Sequence, residues 1–97
     1  MSQALTLARP YGRAAFAIAR EGGNFAPWSD ALAFSAQVSG DQRVAALLRN
    51  PALGQEQAVT LLAPPQAGES YLRFLGVLAD AQRLSLLPEI AGVYEQL

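Results

Sequence analysis

LARPYGRAAFAIA, residues 7–19, is the stretch that decides how this chain folds. Read at about 100° per residue, it makes a helix in which Leu7, Ala8, Tyr11, Gly12, Ala14, Ala15, Phe16, Ile18 and Ala19 share an arc of roughly 180°. Arg9, Arg13 and Arg20 crowd the opposite side. A surface helix needs an apolar stripe of only about 100°. The surplus calls for a second helix to cover it, from this chain or from another molecule.

The rest of the composition agrees with a helical fold. Nineteen alanines and fifteen leucines stand against five valines and two isoleucines. Ala and Leu lose little rotamer freedom in a helix, whereas β-branched side chains lose more. No segment alternates apolar and polar residues between turn signals, as a half-buried strand does. At 97 residues, 52% apolar and 15% charged, the chain suits one compact, ordered domain over 1–97.

Six helices are expected. The first runs from Leu5 or Leu7 to Glu21, with Thr6 as its cap, Pro10 at the fourth helical position and Leu5 packed on Pro10 as a staple. Gly22-Gly23 ends it by supplying a left-handed residue. The second covers Phe25 or Trp28 to Val38, with Asn24 as candidate cap. Phe25, Trp28, Leu32 and Ser35 share one side of it, extended by Ala31, Phe34 and Val38.

A third, from Asp41 to Arg49, follows a possible capping box in Ser39-Gly40-Asp41-Gln42 and stops at Asn50-Pro51. The fourth spans Gln55 to Leu62, and Pro64-Pro65 punctuates it. The fifth spans Glu69 to Gln82, and its apolar arc of roughly 220° repeats the excess seen at the start of the chain. The sixth begins near Ser85, its expected cap, and reaches Tyr94 or the chain end, with Pro88 in its first turn. The expected fold is therefore all-α, a compact six-helix bundle with short antiparallel connections.

Several function classes lack their residues. Seven arginines against eight acids leave a net charge of -1, without the basic excess that phosphate neutralisation requires of a nucleic-acid binder. There is no cysteine and no histidine, which removes disulfides, Cys-based metal sites and the usual general base at neutral pH. The Glu-x-x-His spacing of a di-metal bundle cannot occur. Neither a catalytic site, a metal nor a cofactor is expected. No apolar run approaches 18 residues, so no direct membrane insertion is expected, and the N-terminus lacks the order of a signal peptide.

Two interior glycines and one tryptophan stand out. Gly12 and Gly76 each cost about 1 kcal/mol relative to alanine in a helix. Such a glycine reads either as a site of close helix approach or as tolerated drift on a stable scaffold; the choice is open for Gly12, while Gly76, near the polar side, reads as drift. Trp28 reads as a buried anchor of the second helix, because Phe25 and Leu32 share its stripe. The apolar edge formed by Leu7, Tyr11, Ala14 and Ile18 has two readings, bundle core or partner surface. The fifth helix is over-wide as well, and two such helices side by side make a groove that a third helix fills.

Three motifs, in order along the chain, carry a resemblance. ARPYGRAAFAIA near the start, LLRNPAL in the middle and RLSLLPEIAGVYEQL at the end resemble the delta subunit family of bacterial F-type ATP synthases. The mitochondrial oligomycin-sensitivity-conferring protein is a relative. The likeness runs from about Leu7 to Leu97 and implies the N-terminal half of such a subunit, with a second domain absent.

It also implies a non-catalytic stator role on the cytoplasmic side of the bacterial inner membrane. The N-terminal helix of an alpha subunit would bind between helices 1 and 5, and the b subunits would meet only the missing C-terminal domain. Carried onto this sequence, the partner site comprises Leu7, Tyr11, Ala14, Ala15 and Ile18 on the first helix. On the fifth it comprises Phe74, Val77, Leu78 and Ala81. Family members often carry alanine at the position of Gly12, and Asn-Gly where this chain has Ala81-Gln82, which implies a less sharp turn here. A bacterial origin is expected, since the first motif leaves no room for a transit peptide. The alternative is a free-standing helical adaptor or regulator that binds a different amphipathic helix.

Overall fold

The computed structural model describes residues 3–97; Met1 and Ser2, part of the expected 1–97 unit, lie outside the described residues. Six α-helices follow one another: α1 (Gln3–Gly22), α2 (Phe25–Gly40), α3 (Gln42–Leu48), α4 (Gln55–Leu62), α5 (Glu69–Asp80) and α6 (Leu87–Glu95). A 3-10 turn, Leu84–Leu86, leads into α6, and the described residues include no strand. The fold is all-α, as the Ala and Leu content requires.

The line Ala8, Gly12, Ala15 and Ala19 buries one face of α1 in small side chains. That face lies on α6, which also packs along α2, so these three helices form the platform of the fold. Gly12 is where the two backbones come closest: a Cβ there would lie 2.5 Å from Val93 Cγ1. The close-approach reading of Gly12 is correct. Phe16 joins all three helices, with its ring centroid 5.0 Å from Phe25 on α2 and 5.7 Å from Tyr94 on α6. The Tyr94 hydroxyl donates to the Phe25 carbonyl at 2.7 Å, tying the end of α6 to the start of α2.

α4 and α5 pack on each other as a hairpin, and α5 also touches the 3-10 turn. Aromatic side chains dock this hairpin on α2. Trp28 is buried, with its ring edge-on to Tyr71 at 5.1 Å and to Phe74 at 5.4 Å. It is the core anchor that its stripe implied. Below it the Tyr71 hydroxyl reaches Ser35 Oγ at 2.6 Å and the Ala31 carbonyl at 3.1 Å. Ser35 Oγ in turn donates to the Leu62 carbonyl at 2.8 Å. One buried relay therefore links α5, α2 and the C-terminal end of α4.

Several local expectations need correction. α1 already includes Gln3, so Thr6 lies inside the helix and is not its cap. Pro10 is then interior, and Leu5 does not occupy the position of a staple. A proline can sit there because α1 is long and held by its packing on α6; it withholds one N–H from the ladder. The capping box is also displaced. Asp41, rather than Ser39, caps α3, accepting from the N–H groups of Arg43 at 2.9 Å and Val44 at 3.3 Å.

These bonds, led by the one from Arg43, hold the Asp41 carboxyl below its ordinary value. Ser39 is buried and donates instead to the Ala36 carbonyl. Asn24 is at the cap position of α2 without a side-chain capping bond. Ser85 falls in the middle of the 3-10 turn, so α6 starts one residue later than a serine cap implied, with Pro88 in its first turn.

Two helix ends share one geometry. After α1, Asn24 N–H bonds the Ala19 carbonyl at 2.8 Å and Gly23 N–H bonds Arg20 at 3.2 Å, with Gly23 at φ +67°. This is the paired closure that a left-handed residue permits. After α5, Arg83 N–H bonds Leu78 at 2.8 Å and Gln82 N–H bonds Ala79 at 3.1 Å, with Gln82 at φ 59°. The Ala81-Gln82 turn is thus as tight as a glycine turn, against the expectation of a looser one. Glutamine bears a strain there that glycine would not.

A candidate partner surface on α1 and α5

The exposed apolar surface of α1 lies about a quarter-turn from its buried line. Leu7 and Tyr11 are half-buried, packed against the edge of the core, while Ala14 and Ile18 are exposed, Ile18 by 37%. One edge of the helix thus stays open along more than three turns. Ala15 is fully buried. It belongs to the line facing α6 and presents nothing outward.

α5 divides the same way. Tyr71, Phe74, Leu75, Leu78 and Ala79 are buried. Val77 is 57% exposed, the most exposed large apolar residue among those described, and Ala81 is exposed beside it. Of the residues expected to meet a partner from this helix, Val77 and Ala81 are accessible, while Phe74 and Leu78 are sealed in the core. Leu72, on the other flank of α5, is exposed as well, toward α4.

α1 and α5 are not a closely packed pair. The 3-10 turn touches both of them, and so does α2, through Phe25 on Phe16 and Trp28 on Tyr71 and Phe74. Among the clefts that indent the described surface are three of about 700, 640 and 850 Å³. The first lies between α2 and the 64–68 turn, the second between α4 and α5, and the third around the loop from Arg49 to Gln55. None of the three is lined by a residue of α1. The accessible apolar surface of the pair is one open edge on each helix, without close backbone packing between α1 and α5.

The cationic side of α1 points away from that edge. Arg9, Arg13 and Arg20 are all exposed. Among the described residues, no group of three or more His, Cys, Asp or Glu is placed to hold a metal ion. No described helix is long and apolar enough to cross a membrane.

Helical periodicity could not have identified Phe34 and Leu47 as exposed. Both sit on apolar stripes, yet Phe34 opens onto the first cleft and α3 buries no residue at all. Phe25 also counts as exposed, although its ring stacks on Phe16. A helix of seven residues is too short for its wheel to reveal which side the bundle covers.

The family model described as ATP synthase delta (OSCP) subunit matches residues 7–97. The chain belongs to that family. It is 94% identical over 97 residues to the ATP synthase subunit delta of Xanthomonas euvesicatoria pv. vesicatoria (strain 85-10), covering all of this chain and 55% of that protein. Identity is 93% to its counterpart from Xanthomonas axonopodis pv. citri (strain 306) and 84% to that from Xanthomonas campestris pv. campestris (strain B100), with the same coverage. The chain spans about half the length of the curated relatives it matches.

Proposed function

We propose that this chain is a stator element of a rotary ATP synthase, joining the catalytic head to the peripheral stalk without performing chemistry itself. Membership of the delta (OSCP) subunit family across residues 7–97 is the observation that carries this reading. The partner is the N-terminal helix of an alpha subunit, lying along the open edges of α1 and α5. Leu7, Tyr11, Ala14 and Ile18 meet it on one side, Val77 and Ala81 on the other. The length that the relatives have beyond this chain supplies the contact with the b subunits. The assembly holds the chain at the cytoplasmic face of the bacterial inner membrane.

The surface chemistry suits such a joint. A stator contact carries torque and must resist dissociation, and burying apolar area contributes about 25 cal/mol per Å² before the costs of association. The incoming helix needs apolar anchors at i, i+3, i+4 and i+7. Titrating this chain with an alpha-subunit N-terminal peptide by calorimetry tests the proposal, with Trp28 fluorescence as a second readout because its ring touches α5. Saturable binding that is lost in Ile18→Asp supports it. No binding, or equal binding by unrelated amphipathic peptides, replaces it with the free-standing adaptor.

A further inference from the structure

We infer that the hydroxyl of Tyr71, bonded to Ser35 and Ala31, is a positioning group that sets the separation of α5 from α1. The argument begins with what is missing between these helices. Backbone packing links them through nothing larger than the three-residue 3-10 turn, because α5 otherwise lies closely along α4. The span to α2 is filled by Trp28, Tyr71 and Phe74, whose rings meet edge-on or tilted at 5.1–6.2 Å. Ring contacts of this kind are favourable over a range of offsets and so do not by themselves fix a distance.

Hydrogen bonds are far less tolerant. The Tyr71 hydroxyl sits 2.6 Å from Ser35 Oγ and 3.1 Å from the Ala31 carbonyl, on successive turns of α2. Ser35 passes the constraint on to the Leu62 carbonyl at the end of α4. Such bonds have narrow geometry, and breaking one strands a buried polar group at about 1–3 kcal/mol. The relay therefore pins both helices of the α4–α5 hairpin to one face of α2. Since α2 and α1 share the α6 platform, it also fixes where Val77 stands relative to Tyr11 and Ile18. Its bearing on partner binding rests on the function proposed above.

The chain has no cysteine, so a label pair can be placed without background. Spin labels on Arg13→Cys in α1 and Val77→Cys in α5, both exposed sites, report the α1–α5 distance by pulsed electron resonance. Tyr71→Phe keeps the ring and deletes only the hydroxyl; Ser35→Ala deletes the other half of the relay. In each, with native helical circular dichroism, the distance distribution is expected to widen or shift relative to the parent. Ser29→Ala, which removes an exposed bond to Glu95, leaves it unchanged.

Distributions in Tyr71→Phe and Ser35→Ala that both coincide with the parent overturn the inference. In unlabelled protein, Tyr71→Phe weakens alpha-peptide binding in proportion to the fraction of molecules whose α5 edge is displaced. A parent that fails to bind the peptide refutes the proposed function while leaving the distance result to decide this inference.

Discussion

Gly12 of α1 and Val93 of α6 occupy space that admits only one of them with a side chain at full size. A Cβ on residue 12 would lie 2.5 Å from Val93 Cγ1 and 2.7 Å from its Cβ, with the Ile90 carbonyl 3.4 Å away. Val93 is buried and cannot swing into solvent. Gly12→Ala, which gains about 1 kcal/mol in helix propensity, is therefore expected to lose more than that gain to overpacking, for a net destabilisation of about 1–2 kcal/mol. Urea unfolding measures it. Combining the change with Val93→Ala removes the obstruction and should recover part of the loss, giving a non-additive pair.

Gly76 makes the opposite case on α5. Nothing lies within 4 Å of where its Cβ would be, and the position faces the open cleft beside α4. Gly76→Ala should raise stability by about 0.5–1 kcal/mol, since only the entropy of the unfolded chain and the helix preference change. A fall in the thermal midpoint would show that the cleft is narrower than its geometry implies.

Gln82 holds φ at 59° to close the end of α5. Glycine adopts that conformation without the Cβ conflict, so Gln82→Gly is expected to stabilise the chain by about 1 kcal/mol. Gln82→Val should do the reverse, because a branched side chain suits the left-handed region least. Thermal unfolding of the two variants side by side gives the sign.

Burial pushes the Tyr71 hydroxyl up to about 12, partly offset by its bond to Ser35. The folded state thus keeps a proton that the unfolded chain releases near pH 10. The resulting stability is fully present below pH 10 and is lost as pH rises toward 12, on the order of 2–3 kcal/mol. Tyr94, raised by burial and by the neighbouring Glu95, acts in the same direction. Denaturant midpoints recorded from pH 8 to 12 should fall in the parent and fall less steeply in Tyr71→Phe.

Exposure separates binding from folding on the two helices. Ile18→Asp and Val77→Asp change surface positions and should alter stability by less than about 0.5 kcal/mol while weakening the alpha-subunit peptide. Leu78→Ala, fully buried, should cost about 2–5 kcal/mol. If Val77→Asp destabilises as much as Leu78→Ala, then Val77 is a packing residue and α5 offers no partner edge.

Much of this molecule was legible before any coordinates. Periodicity and composition determine the six helices, because each buries one face and Ala and Leu favour that geometry. Gly23 was readable as a helix end, and Trp28 as an anchor, since each depends on a few neighbouring residues. The apolar excess on α1 and α5 is real, and it includes the open positions Ile18 and Val77.

What the tertiary structure alone decided is which part of each wide arc the chain hides. Ala15, Phe74 and Leu78 look no different from Ile18 and Val77 on a helical wheel. Ala15 is sealed because α6 returns to cover one side of α1, Phe74 because Trp28 packs on it, and Leu78 lies on the same buried side of α5. Those contacts join residues up to 81 positions apart, as with Gly12 and Val93, and no local pattern encodes them. The Tyr71–Ser35–Leu62 relay is of the same kind: its partners lie on three helices, and only their docking brings the polar atoms within bonding distance.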